Sequence, residues 1–137
     1  VGISTRSNAG AVRQLRALVA DHGYSVEEVE FNGCLHLKSA VTVVSDDPLL
    51  INPEWVDAGA FPKHACISVD PSEPSAANVV RIGSTVLFAA DFPRTGQRLS
   101  ALGYDARPVV ASELAKAEGA LTCCSLIFEV PWEQSLS

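Results

Sequence analysis

The spacing of apolar residues along this chain switches repeatedly between the two-residue period of a strand and the three-to-four-residue spacing of a helix. Residues 1–5 read as a short strand, and Ser7 or Asn8 can cap a helix whose apolar positions Val12, Leu15, Leu18 and Val19 recur at helical spacing until Gly23 stops it. Residues 24–31 alternate Val26, Val29 and Phe31 with Glu27, Glu28 and Glu30, which predicts a strand with a solvated acidic face. Asn32-Gly33 is a turn dipeptide. It opens residues 34–44, where Leu35, Leu37, Val41 and Val43 alternate against His36, Lys38, Ala40 and Thr42, placing His36 on the polar face of a predicted strand. Asp46-Asp47-Pro48 makes a turn, residues 49–52 a strand, Asn52-Pro53 opens a brief helix over 54–60, and residues 65–69 form another strand.

The second half repeats the pattern. After a Ser-, Pro- and Glu-rich loop at 71–77, residues 78–82 and 84–90 pair around Gly83, a helix covers 95–102, Gly103-Tyr104 closes it, and residues 106–110 form a strand. Ser112 caps a short helix over 113–117, the run at 121–128 reads as a strand, and residues 131–137 read as a tail. The segment LRALVADHGYSV, starting at Leu15, resembles LSALGYDARPVV, starting at Leu99, and Gly33-Cys-Leu-His36 resembles Gly119-Ala-Leu-Thr122. Units therefore start near residues 35, 78 and 121, a period of roughly 43 residues of strand, strand, helix, strand, which suits a radial α/β array better than a sandwich. Equivalent strands of such an array converge on one axis, so the repeat can bring His36 and Cys123 together.

The thiols at 123 and 124 carry the chemistry. As a strand, Leu121, Cys123, Ser125 and Ile127 share one face and Thr122, Cys124, Leu126 and Phe128 the greasier other, so Cys124 reads as core and Cys123 as the thiol with access to a site. The competing reading is that both are core cysteines, since free Cys is among the most buried residue types, and a lone histidine such as His36 is more often structural than catalytic. Cys34, Cys66, Cys123 and Cys124 have neither zinc-ribbon nor CxxC spacing and are expected to be reduced thiols of a cytoplasmic protein. Cys34 and His36 can offer two metal ligands, but no second pair completes a set, so no metal is expected.

Composition narrows the class. The 137 residues, 47% hydrophobic and 19% charged, suit one globular domain over 1–137, and no apolar run approaches the ~20 residues of a membrane span. A formal charge of −6 with scattered basic residues argues against a nucleic-acid partner. The start Val1-Gly2-Ile3-Ser4 already reads as strand and lacks a methionine, so a fragment or processed chain is expected.

Three motifs, Val1-Gly-Ile-Ser-Thr-Arg-Ser-Asn8, Leu35-His-Leu-Lys-Ser39 and Gly119-Ala-Leu-Thr-Cys-Cys-Ser-Leu126, resemble in order and spacing those of the dimethylarginine dimethylaminohydrolase family, within the guanidine-modifying superfamily that also holds arginine deiminase. The resemblance implies an α/β-propeller of the pentein type, five ββαβ blades around a channel, of which this chain would be a partial propeller matching roughly the second half. It implies that Cys123 is the nucleophile, His36 the catalytic acid and base, Arg6 the grip on the substrate α-carboxylate, and Ala117 a backbone carbonyl that receives the α-amino group. No cofactor is implied. The implied reaction converts asymmetric dimethylarginine to citrulline and dimethylamine through a covalent thiouronium on cysteine. Its guanidinium-binding carboxylates would lie in the missing upstream half, and the partners would be the methylated arginine and either that half or a second copy of the chain. An arginine deiminase-like hydrolase and a non-catalytic fragment are the alternatives.

Overall fold

The computed structural model describes residues 1–128, and their strands gather into three small sheets rather than one. In the first, β1 (Gly2–Ile3) runs parallel to β2 (Val29–Glu30), joined by helix α1 (Ala9–Val19). One helical turn, α2 (Leu37–Ala40), then leads into β3 (Val41–Val43), which lies antiparallel to β4 (Leu49–Ile51), with β5 (Cys66–Ser68) parallel on β4's other edge. The third sheet repeats that order. Strand β6 (Val80–Ile82) is antiparallel to β7 (Thr85–Ala89), and β8 (Asp105–Val109) is parallel to β7 after a crossover through helix α3 (Pro93–Ala101). A short helix, α4 (Ser112–Lys116), follows.

The strand, strand, helix, strand unit is therefore present, because a parallel neighbour needs a crossover connection and an antiparallel one only a turn. Two of the crossovers are helical. The middle one is not: the predicted helix over 54–60 is replaced by a turn at 53–55 and a single 3₁₀ turn, Ala58–Ala60, where the Asp57 carboxylate accepts the Gly59 N–H at 2.9 Å. That Asx turn, between Pro53 and Pro62, offers the backbone a local alternative to a longer helix.

Two predicted strands are corrected. The strand expected over 34–44 begins only at Val41, because residues 37–40 close one helical turn, with Ser39 N–H donating to His36 O at 2.9 Å and Val41 N–H to Leu37 O. The strand expected over 121–128 does not form. Leu121 to Cys124 make a turn, with Cys124 N–H on Ala120 O at 3.3 Å and Ser125 N–H on Thr122 O at 3.4 Å, and among the described residues no strand pairs with them. Alternation had no ladder to follow in either segment, and a strand without a neighbour leaves its backbone groups unpaired. The acidic strand over 24–31 likewise shrinks to Val29–Glu30, with Glu27, Glu28 and Glu30 exposed as expected. The tail at 131–137 lies outside the described residues.

Core packing ties each sheet to the next. Val44 and Leu50 of the second unit join Val79, Val86, Phe88 and Leu99 of the third in one buried cluster, and Val29 joins Val41, Leu49, Ile51 and Val56 in another. Helix α1 begins under its Asn8 cap, whose side chain accepts Ala11 N–H at 3.1 Å, and ends before Gly23. Only Val12 of its apolar face is buried; Leu18 is 72% exposed. Helix α3 lacks a side-chain cap of its own. The buried carboxylate of Glu73 serves instead, accepting Arg94 N–H at 2.9 Å and Thr95 N–H at 2.7 Å, where the helix dipole favours negative charge.

Gly96 lets α3 lie directly on β7, since a Cβ there would overlap the Phe88 ring. Gly96→Ala should therefore destabilise the protein by about 1–3 kcal/mol despite alanine's better helix propensity, measured by denaturant unfolding. A neutral or stabilising outcome would show that Phe88 can swing aside.

Candidate active site

His36 sits at the entrance of α2 with extended backbone, and its carbonyl accepts Ser39 N–H and the Cys34 S–H, the latter at 3.3 Å. Its imidazole belongs to an exposed residue. The bend before it forms around Gly33, whose φ of +69° and contact with the Trp55 indole leave no room for a side chain.

Cys123 rides on the turn that replaced the predicted strand. Leu121 beneath it is buried with Val80 and Ala111, Ser125 donates its hydroxyl to Leu121 O at 2.6 Å, and both Cys123 and Cys124 are exposed. The expectation that Cys124 is a core residue fails, because the two-residue period that sent it inward belongs to a strand that is not there.

The two turns meet on one side chain. Asn78, 6% exposed, donates from Nδ2 to Lys38 O at 3.2 Å and to Thr122 Oγ1 at 3.0 Å, and its Oδ1 accepts Thr122 N–H at 3.0 Å. Lys38 is two residues beyond His36 and Thr122 is the residue before Cys123. The repeat expected His36 and Cys123 at equivalent unit starts; Asn78, at the unit start between them, is the link that the reading missed. The only signal was its position in the repeat.

The other two expected positions lie apart from this link in the hydrogen-bond pattern. Arg6 is exposed in the turn between Ser4 and Ser7, its own N–H on Ser4 Oγ at 3.1 Å. Ala117 ends α4, where Glu118 N–H bonds Ala115 O at 3.0 Å and Gly119 N–H bonds Leu114 O at 2.8 Å. This closure requires a left-handed residue, and Glu118 supplies it at φ +57°, among the described residues the one non-glycine residue with positive φ.

Two cavities adjoin the Asn78 link. Asn78 lines one of about 650 Å³ with Cys34, Ser39, Trp55, Asp91 and Glu118, and Lys38 and Thr122 line another of about 430 Å³ with Arg81 and Ser125. The larger has two carboxylates and no Lys or Arg in its wall, which favours a cationic occupant. Asp91 and Glu118 are acids the sequence reading passed over. Three of the other acids have basic partners elsewhere: Glu28 pairs Arg16 at 3.5 Å, Asp46 pairs Arg81 at 2.7 Å, and Asp47 faces His64 at 3.5 Å, while Glu27 and Glu30 are exposed. Among the described residues, no three His, Cys, Asp or Glu side chains gather as metal ligands. Burial pushes the Cys34 thiol up, and burial together with the Asp47 charge pushes up Cys66.

No family model matches the chain. It is 34% identical over 128 residues to N(G),N(G)-dimethylarginine dimethylaminohydrolase of Pseudomonas aeruginosa, a match covering 93% of the chain and 50% of that protein. Its identity to the protein of the same name from Streptomyces coelicolor is 37% over 127 residues, covering 92% and 48%. The chain thus spans about half the length of the curated relatives it matches. The solved Pseudomonas aeruginosa structure, with a cysteine replaced by serine and citrulline bound, superposes with a TM-score of 0.85 at 33% identity over 93% of this chain and 50% of that one. A dimethylarginine dimethylaminohydrolase with a histidine replaced by glycine, as an adduct with S-methyl-L-thiocitrulline, gives 0.84 at 33% identity over the same shares, 93% and 50%. The numbering of those two structures separates the substituted cysteine and histidine by as many residues as separate Cys123 from His36. The N-terminal domain of a cyanobacterial arginine dihydrolase, 20% identical, shares the fold with a TM-score of 0.76 over 90% of this chain and 48% of that one. Over nearly its whole length the chain is homologous to about half of a dimethylarginine dimethylaminohydrolase. Its fold is the expected pentein-type α/β propeller, here an open set of blades.

Two outcomes follow from the geometry. Cys123 and Cys124 should react with a neutral alkylating agent well before Cys34 and Cys66, whose raised pKa values leave less thiolate at a given pH, as peptide mapping of the labelled protein would show. Glu118→Gly should stabilise the protein by about 0.5–1 kcal/mol, because relief of the ~1–2 kcal/mol left-handed penalty exceeds the added freedom of the unfolded chain. A lowered melting temperature would mean that the Glu118 side chain holds the turn by contacts of its own.

Proposed function

We propose that the protein containing this chain hydrolyses Nω-methylated arginines to citrulline and the free methylamine, with Cys123 as nucleophile and His36 as acid and base. The observation that carries the reading is the Asn78 link, which ties the turn before Cys123 to the turn after His36. Sequence similarity to half of two dimethylarginine dimethylaminohydrolases, and the matching histidine-to-cysteine separation, support it.

A guanidinium carbon is a poor electrophile, and a thiolate is a better nucleophile near neutral pH than a hydroxyl. In the proposed reaction the Cys123 Sγ forms a bond to the guanidinium carbon while the bond from that carbon to the methylated nitrogen breaks. His36 gives its proton to the departing amine. The thiouronium that remains is attacked by water, one proton of which passes to His36; the carbon–sulfur bond then breaks as the new hydroxyl gives its remaining proton to solvent, releasing citrulline and returning the thiolate. Arg6 suits the substrate α-carboxylate because its guanidinium offers two parallel donors, and the Ala117 carbonyl suits the α-ammonium. The two carboxylates of the larger cavity add attraction for a cation but leave most of the guanidinium's lost hydration to acids outside this chain.

The partner we infer for the uncovered apolar surface is the other half of the propeller. Leu18 on α1, Val43, Ile82 and Leu126 are all exposed, and an open set of blades leaves strand edges unpaired. The 137-residue chain alone should have little or no activity.

Citrulline formation from asymmetric dimethylarginine, by the complete protein and by the 137-residue chain, tests the proposal. The complete protein should turn over and its Cys123→Ser variant should lose at least about 10⁴-fold in kcat. Full activity in the short chain would make outside carboxylates dispensable. Turnover of arginine with none of dimethylarginine would favour a deiminase, and no turnover of either in the complete protein would leave a binding or structural role.

A further inference from the structure

We infer that Asn78 is a positioning residue, whose buried carboxamide holds the Cys123 turn and the His36 turn in fixed register. The inference rests on the hydrolase reading for its consequence, and on geometry alone for the coupling. Among the described residues, no hydrogen bond runs directly between residues 33–40 and residues 119–128; the bonds that connect them all pass through Asn78. Both amide protons and the carbonyl oxygen are engaged, so the side chain has one orientation that satisfies all three bonds.

The anchor is itself anchored. The buried Thr42 hydroxyl of β3 donates to Ala77 O at 2.5 Å and accepts Val79 N–H at 3.3 Å, gripping the residues on either side of Asn78. A movement of the amide would therefore break bonds at both ends. A carboxamide fits these partners, because Thr122 N–H needs an acceptor and Lys38 O needs a donor, while the Thr122 hydroxyl can serve in either role. Aspartate at this position could accept but not donate, and leucine could do neither.

Catalysis by one imidazole acting on one thiol depends on their separation, and a displacement of about 1 Å can cost on the order of 100-fold in rate. Among the described residues the Asn78 side chain makes its hydrogen bonds to Lys38 and Thr122 and none to either reacting side chain. Its loss should appear in kcat and leave KM nearly unchanged.

The experiment uses the complete protein with Asn78→Ala, Thr122→Val and, as a structural control, Glu73→Gln, which weakens the α3 cap through residues that line neither cavity. Amide exchange followed by mass spectrometry should show residues 34–40 and 119–125 losing protection together in Asn78→Ala, and less so in Thr122→Val. On dimethylarginine, well below the melting temperature, Asn78→Ala should lower kcat by roughly 100-fold with KM within about threefold, whereas Glu73→Gln lowers the melting temperature and leaves kcat unaltered. Loss of protection in only one segment, or an unchanged kcat in an active enzyme, overturns the inference. If the unsubstituted protein has no turnover, the hydrolase reading fails and amide exchange alone decides the coupling.

Discussion

A carboxamide buried to about nine-tenths must find partners, since leaving its groups unpaired costs about 1–3 kcal/mol. In this protein the partners of Asn78 come from two segments, 40 and 44 residues away in sequence. That requirement draws the inner ends of successive units to one point. Among the described residues the sheets are only two or three strands wide and are not laddered to one another, so their relative placement rests on side-chain bonds such as those of this amide and Thr42, and on the apolar clusters between units.

Packing further out serves the same end. Gly96 brings α3 onto Phe88, the Glu73 carboxylate closes the helix's amino end, and Arg98 donates to the carbonyls of Ser68 and Val69 at 2.7 and 3.0 Å. These contacts hold the third unit rigid against the loop after β5. Rigid units let the connecting turns carry chemistry, because a turn fixed at both ends presents a side chain outward without a strand ladder to support it. Cys123 and His36 are both presented this way, exposed on turns whose roots are buried.

Strain and charge collect beside that point. Glu118 keeps a left-handed backbone where glycine would suit the turn better, and its residue lines the larger cavity together with Asp91. A non-glycine residue held in this region is sustained only by the structure around it. Here the closure of α4 and the Thr122 bond to Asn78 bracket the stretch, so the Ala117 carbonyl and the Cys123 turn are placed by the same short loop.

The repeating unit was legible in the sequence because apolar period, glycine and proline are local signals: the Asn8 cap, the Gly23 stop, the hairpin around Gly83 and the strand after Gly103-Tyr104 all lie where the pattern puts them. The cysteine and histidine candidates were legible through the repeat and through three short motifs. Alternation misled at 34–40 and at 121–128, since a period of two describes which way side chains would point in a strand but says nothing of whether a neighbour exists to pair with it. Asn78, Asp91 and Glu118 carried no local signal. A buried amide is recognised by the partners that surround it, and a cavity by the walls that meet around it; both come from segments far apart in sequence, so only the tertiary structure decides them.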